Sequence, residues 1–156
     1  MAMAATHQLA NSPSHQLANS PIHQLSPVIL FDGVCNLCSG FVQFVIAHDP
    51  AGRFRFAALQ SDAARRLLRQ PDAARSASPA SVVLVEGDRV FTQSTAALRI
   101  ARGLGLPWRL VYGLIAVPRP LRDWMYDIVA RHRYQWFGRR DGCLVPTADE
   151  RARFLD

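Results

Sequence analysis

Val28-Ile-Leu-Phe-Asp-Gly-Val-Cys-Asn-Leu-Cys-Ser39 is the stretch on which the reading of the chain turns. Val28 to Phe31 is a short apolar run that suits a buried strand. Asp32-Gly33 breaks the run and turns the chain, with Gly33 allowing a tight turn. Cys35 and Cys38 come next, and an apolar-periodic helix follows from about Cys35 to His48. Residues three apart share a helix face, so the two sulfurs can bond or separate with little backbone movement. The unpaired N–H groups and partial positive charge of a helix N-terminus favour a thiolate on the first cysteine. Strand, turn, C-x-x-C and helix together are the arrangement that dithiol–disulfide chemistry needs.

Working outward, residues 1–26 form a polar repeat. His7-Gln-Leu-Ala-Asn-Ser-Pro13 recurs as His15 to Pro21, and a shortened copy runs from His23 to Pro27. Pro at each repeat end interrupts helix and strand alike, so residues 1–26 read as a disordered tail and 27–156 as one domain. The regularly spaced His7, His15 and His23 read as repeat expansion rather than a metal site, because chelation by a mobile segment loses much entropy. On the domain side, Arg53 to Leu59 alternates with period two and reads as strand two. Ser61 or Asp62 caps a second helix, with Leu67 and Leu68 facing in. Gln70 to Ser81 is a loop, Ser81 to Val85 strand three and Arg89 to Thr92 strand four, joined by the Glu86-Gly87-Asp88 turn. Ser94 caps a third helix ending at Gly103, and Pro107 opens a helical segment, Trp108 to Val117. After Pro118 and Pro120, the stripe Leu121, Trp124, Met125, Ile128, Val129 and His132 is amphipathic and reads as core against the sheet or a neighbouring helix.

The composition bounds the function. A chain of 156 residues, 49% hydrophobic, suits one ordinary domain. The net charge of +6 comes entirely from Arg; without a long basic run or nucleic-acid motif it reads as a solvated basic face, with no nucleic-acid partner. Leu104 to Val117 is too short for a membrane span and contains Arg109, so no integral membrane segment is expected. Met1 to Pro27 lacks the basic start and apolar run of a secretory signal. Three cysteines do not make a disulfide-stapled scaffold, so the expected setting is a reducing cytoplasm, where C-x-x-C is catalytic or metal-binding.

Asp32 to Cys38, D-G-V-C-N-L-C, resembles the D-x-x-C-x-x-C signature of the DCC family of predicted thiol–disulfide oxidoreductases, the DUF393 proteins. Ser94 to Leu110, around S-T-A-A-L and G-L-P-W-R-L, and Tyr126 to Gly138 with Cys143 and Pro146 are similar to later parts of that family. The family more often has Asp where this chain has Thr95. The resemblance covers roughly residues 27–155 and implies an α/β, thioredoxin-like fold. The β-α-β-α-β-β-α order read from periodicity agrees with it, with a C-terminal helical extension. Such folds hold a cis-Pro opposite the C-x-x-C; here Pro79 lies slightly early and Ser81 stands at the strand edge.

The candidate catalytic residues are Cys35, Cys38 and Asp32. Cys35, nearest the helix start and expected to be the more exposed sulfur, is the nucleophile; Cys38, one turn deeper, resolves the mixed disulfide. Asp32 admits two roles: buried with a raised pKa it takes the resolving proton, or it caps the turn or helix start with its carboxylate. Asn36-Leu37 would tune the potential, and Arg131, Arg133, Arg139 and Arg140 either border the site or solubilise the last helix. No cofactor is required; the partners are a disulfide-containing substrate and an external thiol reductant. Zinc is the rival reading: C-x-x-C is half a zinc site, and Cys143 with His132 or His48 would complete it, although a second C-x-x-C or H-x-x-H pair is missing. Haem attachment fails because Ser39 stands where His is needed. Cys143 reads either as a third redox partner or as a partly buried small residue.

Overall fold

The computed structural model describes residues 26–69, 82–139, 141 and 146–155. The expected tail, the Gln70–Ser81 loop with Pro79, Arg140 and Cys143 lie outside the described residues, apart from Ser26 at the tail's end.

Four strands form a mixed sheet in the order β2-β1-β3-β4. β1 is Val28–Phe31, β2 Arg55–Ala58, β3 Val83–Glu86 and β4 Arg89–Thr92. β1 lies between its parallel neighbour β2, with Ile29 opposite Phe56, and its antiparallel neighbour β3, with Ile29 opposite Leu84. Side chains alternate across a strand, so β1 serves two cores at once. Ile29 and Phe31 face one side, with Phe56, Leu84 and the helices α1 (Asn36–His48) and α3 (Gln93–Gly103). Val28 and Leu30 face the other, with Ala57, Val83 and α2 (Asp62–Leu67). All four β1 residues are buried, which is why this strand reads as a continuous apolar run. The result is the α/β, thioredoxin-like architecture expected, with the central strand delivering the C-x-x-C at its carboxyl end.

Several local expectations shift. Strand two is shorter than Arg53–Leu59, and strand three starts at Val83 rather than Ser81 and runs on to Glu86. Ser61 caps α2, accepting from the Ala64 N–H at 3.2 Å. Thr92, not Ser94, is the N-cap of α3; Ser94 is inside the helix and donates to Asp123. The segment after Pro107 divides into α4 (Trp108–Val111) and a 3-10 turn (Tyr112–Ala116).

The last long helix, α5 (Arg119–Phe137), contradicts the expected stripe more deeply. Leu121, Trp124, Met125 and Val129 are exposed rather than core. The face of α5 turned inward is polar. Asp123 accepts from Ser94, Asp127 from Gln93 Nε2 at 2.8 Å, and the Tyr126 hydroxyl accepts from the Val82 N–H at 3.0 Å. Each inward partner satisfies a group that would otherwise be buried unpaired, and those bonds fix the helix's rotation.

The chain's end returns to the sheet. Phe154 packs on Phe31 and Phe56, the Leu155 N–H donates to the Phe56 carbonyl at 2.8 Å, and Arg153 bridges buried Asp49 at 3.7 Å. At the end of α3, a Cβ placed on Gly103 would come within 2.5 Å of the buried Phe54 ring. Gly103→Ala is therefore expected to overpack this corner and lower stability by about 1–3 kcal/mol, read as a reduced urea midpoint at unchanged slope.

Candidate active site

The site begins where β1 ends. The Cys35 N–H closes the turn on the Asp32 carbonyl at 3.3 Å, and Cys35 is the N-cap of α1. Its extended backbone (φ −91, ψ 122) lets its carbonyl accept the Ser39 N–H at 2.9 Å, and α1 follows. Cys38 lies on the inward face of α1 with Ser39, Val42 and Val45, while Leu37, Phe41 and Phe44 flank it. Both cysteines are free and buried, and they lie near enough for Cys35 to act on the Cys38 thiol.

Cys35 is not the more exposed sulfur. It is 0% exposed, against 6% for Cys38. The cover comes from the end of α5. Arg139 pairs with Cys35 as an isolated antiparallel bridge, and Asn36 Nδ2 donates to the Phe137 carbonyl at 2.9 Å. Gly138 makes the turn between them at φ +77, ψ 176, a conformation open to glycine.

Asp32 is buried and bound on both oxygens. Oδ1 accepts the Val34 N–H and Gln60 Nε2, each at 3.2 Å; Oδ2 accepts Arg133 at 3.2 Å and the Tyr134 hydroxyl. Burial alone would raise its pKa. The bonds from Tyr134, Val34 and Gln60 and the charge of Arg133 together outweigh burial, and the carboxyl is held below its ordinary value. The raised pKa that a proton-accepting role assumed is therefore reversed, and the Val34 contact has turn-capping geometry.

Arg133 has 5% exposure, and its charge faces both cysteines as well as Asp32. Burial works against that charge, yet the hydrogen bond with Tyr134 (2.7 Å), the facing Tyr134 and the sulfurs hold its pKa above the usual arginine value. Cys38 shows the opposite balance. Burial, then the neighbouring Cys35, push its thiol up to about 12, with only the Asp32 backbone and Arg133 acting the other way. Burial also raises the pKa of Tyr126, whose neighbours include Cys38 and Arg133.

Of the four arginines named from sequence, Arg133 enters the site and Arg139 covers it, its guanidinium 4.8 Å from the Tyr134 ring; Arg131 is exposed. Gln60, Tyr126 and Tyr134 were not singled out as site residues. Tyr126 and Arg133 are seven apart on one helix face, a polar spacing that competes with the apolar stripe beside it.

The histidines of the zinc reading lie elsewhere. His48 ends α1, a helix length of roughly 20 Å from Cys35, and its ring packs against Phe44 and Trp108. His132 bonds the Ile128 carbonyl and stacks on Trp136. Among the described residues no three His, Cys, Asp or Glu side chains are grouped to hold a metal ion. No helix among them is long and apolar enough to cross a membrane.

A thioredoxin-like sheet with a C-x-x-C at the carboxyl end of its central strand is the framework of the class of thiol–disulfide sites. Within that class, residues 29–139 match the sequence model of the DCC1-like thiol-disulfide oxidoreductase family, and the chain belongs to it. It is 45% identical over 132 residues to the uncharacterized protein YuxK of Bacillus subtilis, covering 82% of this chain and 93% of that one. It is 47% identical over 122 residues to a chloroplastic DCC family protein of Arabidopsis thaliana, covering 75% and 68%. No solved structure matches the chain.

Two outcomes follow. Asp32→Asn removes the carboxylate that faces buried Arg133 and should lower unfolding free energy near neutral pH by about 3 kcal/mol. A depressed folded pKa contributes stability above the unfolded value, and the contribution is lost as pH falls through the folded one. The gap between wild type and variant in urea titrations should therefore narrow below about pH 4. Separately, Gly138→Ala strains the cover by about 1–3 kcal/mol, and should speed alkylation of Cys35 about tenfold, read by mass spectrometry of the labelled peptide.

Proposed function

We propose that the protein exchanges a Cys35–Cys38 dithiol with the disulfides of protein or small-molecule substrates. The observation that carries this reading is the pair of free, neighbouring, buried cysteines at the start of α1, facing Arg133. Cys35, as thiolate, attacks one sulfur of the substrate disulfide. A Cys35–substrate disulfide forms, and the other substrate sulfur leaves with the electron pair and takes up a proton. Cys38 then attacks the Cys35 sulfur, its proton passing to the departing substrate thiolate. The enzyme is left with a Cys35–Cys38 disulfide, and the substrate has gained two electrons. An external thiol reductant returns both cysteines to thiols and is oxidised to its own disulfide.

The geometry assigns different parts to the two sulfurs. Cys38, with its thiol pushed up to about 12, stays protonated and waits for the mixed disulfide. A negative charge forming on Cys35 meets the first turn of α1 and the Arg133 guanidinium. Asp32 is best read as a positioning residue: it holds Arg133 and the turn, and its ionised carboxylate is a weak proton acceptor beside a departing thiolate. Substrate access requires the Gly138–Arg139 segment to leave Cys35, and an extended substrate backbone can take the edge that Arg139 now pairs with. Exposed Trp136 and Phe137 beside that edge offer apolar contact to the substrate chain. The low cysteine count suits a reducing, cytoplasm-like compartment.

The test is a redox titration in defined glutathione buffers, on a Cys143→Ser background, with zinc measured on the same sample. The expected result is a reversible two-electron transition that disappears in Cys35→Ser, with disulfide reductase turnover lost by at least about a hundredfold. Stoichiometric zinc, with unfolding on chelation, would show the C-x-x-C to be a structural clip instead.

A further inference from the structure

Asp123, Tyr126, Asp127 and Arg133 of α5 are bonded inward while Leu121, Trp124, Met125 and Val129 point out, so the helix carries an apolar face left open among the described residues. Trp124 is 62% exposed and Met125 60%, with Leu121 and Val129 beside them on the same helix. The preceding segment does the same: Leu106, Leu110 (73% exposed) and Leu114 are open to solvent. α4, the 3-10 turn and α5 all pack on α3, so these exposed side chains belong to elements gathered around one helix, here called the flank. Scattered apolar residues need no explanation, but a run of this size marks an interaction surface.

The charges beside this flank indicate what covers it. A cavity of about 420 Å³ adjoins α4 and is lined by Arg53, Arg99, Arg102 and Arg109, with Glu86 the acid among its lining residues. Glu86 is already paired with Arg99 at 2.8 Å, which leaves three arginines without a carboxylate partner among the described residues. Arg109 stands next to Leu110, so the cationic cavity and the apolar flank meet on α4. Arg119 and Arg131 add exposed positive charge to α5. Between residues 104 and 137 the sequence has two acids, Asp123 and Asp127, and both are turned inward onto Ser94 and Gln93. The flank therefore presents Leu, Met and Trp side chains with arginines and no outward acid. An anionic bilayer has the complementary order: phosphate-bearing headgroups outside, apolar chains a few ångströms below. The cavity lies by Pro27 and Phe54, which precede β1 and β2, at the opposite end of the sheet from Cys35.

We infer that this flank docks the protein on the surface of an anionic phospholipid membrane, with Leu110 and Trp124 entering the headgroup–acyl boundary and the Arg53–Arg102–Arg109 cavity receiving lipid phosphate. The docking is peripheral and leaves the thiol pair at the far end of the sheet.

The experiment is co-sedimentation of the full chain with vesicles of phosphatidylcholine alone or mixed with an equal part of phosphatidylglycerol, with tryptophan emission followed in parallel. Binding to the mixed vesicles, with a blue shift, is expected, and at least about tenfold weaker binding to phosphatidylcholine alone. Leu110→Ser with Trp124→Ser should weaken binding about tenfold, and Arg53→Gln with Arg102→Gln likewise. The altered side chains are exposed, so melting curves should match wild type; Met125→Gln serves as a second apolar variant if the double variant melts early. Three results would overturn the inference. One is no binding to the mixed vesicles. Another is binding that ignores the apolar variants and is competed away by glycerol phosphate, which would reduce the site to a soluble phosphate pocket. The third is a dimer by light scattering that becomes monomer in the apolar variants, which would assign the face to a second copy of this chain.

Discussion

The contact on which the site depends is the buried pair of Asp32 and Arg133, 3.2 Å apart and separated by 101 residues of chain. Such a pair contributes little net stability, because removing both charges from water offsets their attraction. Its effect is on arrangement. With Arg133 missing, Asp32 is a buried carboxylate without the cation that now faces it. The turn before the cysteines and the last long helix are therefore held in one relative position. Tyr134, Gln60 and the Val34 N–H complete the carboxylate's bonds, drawing the turn after β2 into the same constraint.

The same burial acts on Asp32 and Cys38 with opposite outcomes. Desolvation pushes both groups toward their neutral forms. Asp32 overcomes it with four donors, one of them a cation. Cys38 faces a second sulfur and has a single backbone donor and the same cation to oppose it, so its proton stays. An acid three residues before a thiol pair would normally repel a developing thiolate. Here its charge is matched by Arg133, which also faces both sulfurs, and a negative site can form beside a carboxylate.

The sheet was legible because each of its signals is local. Val28 to Phe31 is apolar on both faces because both faces are buried, and Arg89 to Thr92 follows a Gly-Asp turn. The C-x-x-C was legible for the same reason, as a strand, a turn and a helix start in succession. The burial of Cys35 was not, because its cover arrives from Gly138 and Arg139, a hundred residues later, through a backbone pairing that no side-chain pattern announces. The orientation of α5 was also hidden. Its apolar residues, Leu121, Trp124, Met125 and Val129, and its polar residues, Asp123, Tyr126, Asp127 and Arg133, are both spaced for one helix face. Periodicity shows that two faces exist; only the partners Ser94, Gln93, Val82 and Asp32 decide which one turns in.

The inverted helix links two features that otherwise look separate. A nineteen-residue helix is roughly 28 Å long, stiff on that scale and amphipathic by composition. Once Asp123, Tyr126, Asp127 and Arg133 are committed to the body of the domain, the apolar stripe has no place but outside. The end of that helix then delivers Gly138 and Arg139 onto Cys35. The uncovered apolar face and the covered nucleophile thus have one cause, the polar bonding of α5, with Arg133 at its centre. A sequence that turned the stripe inward would solve the surface problem, but it would withdraw Arg133 and Tyr134 from Asp32 and leave the turn before the cysteines without its partners. The exposed face is the structural consequence of building the thiol site against a polar helix.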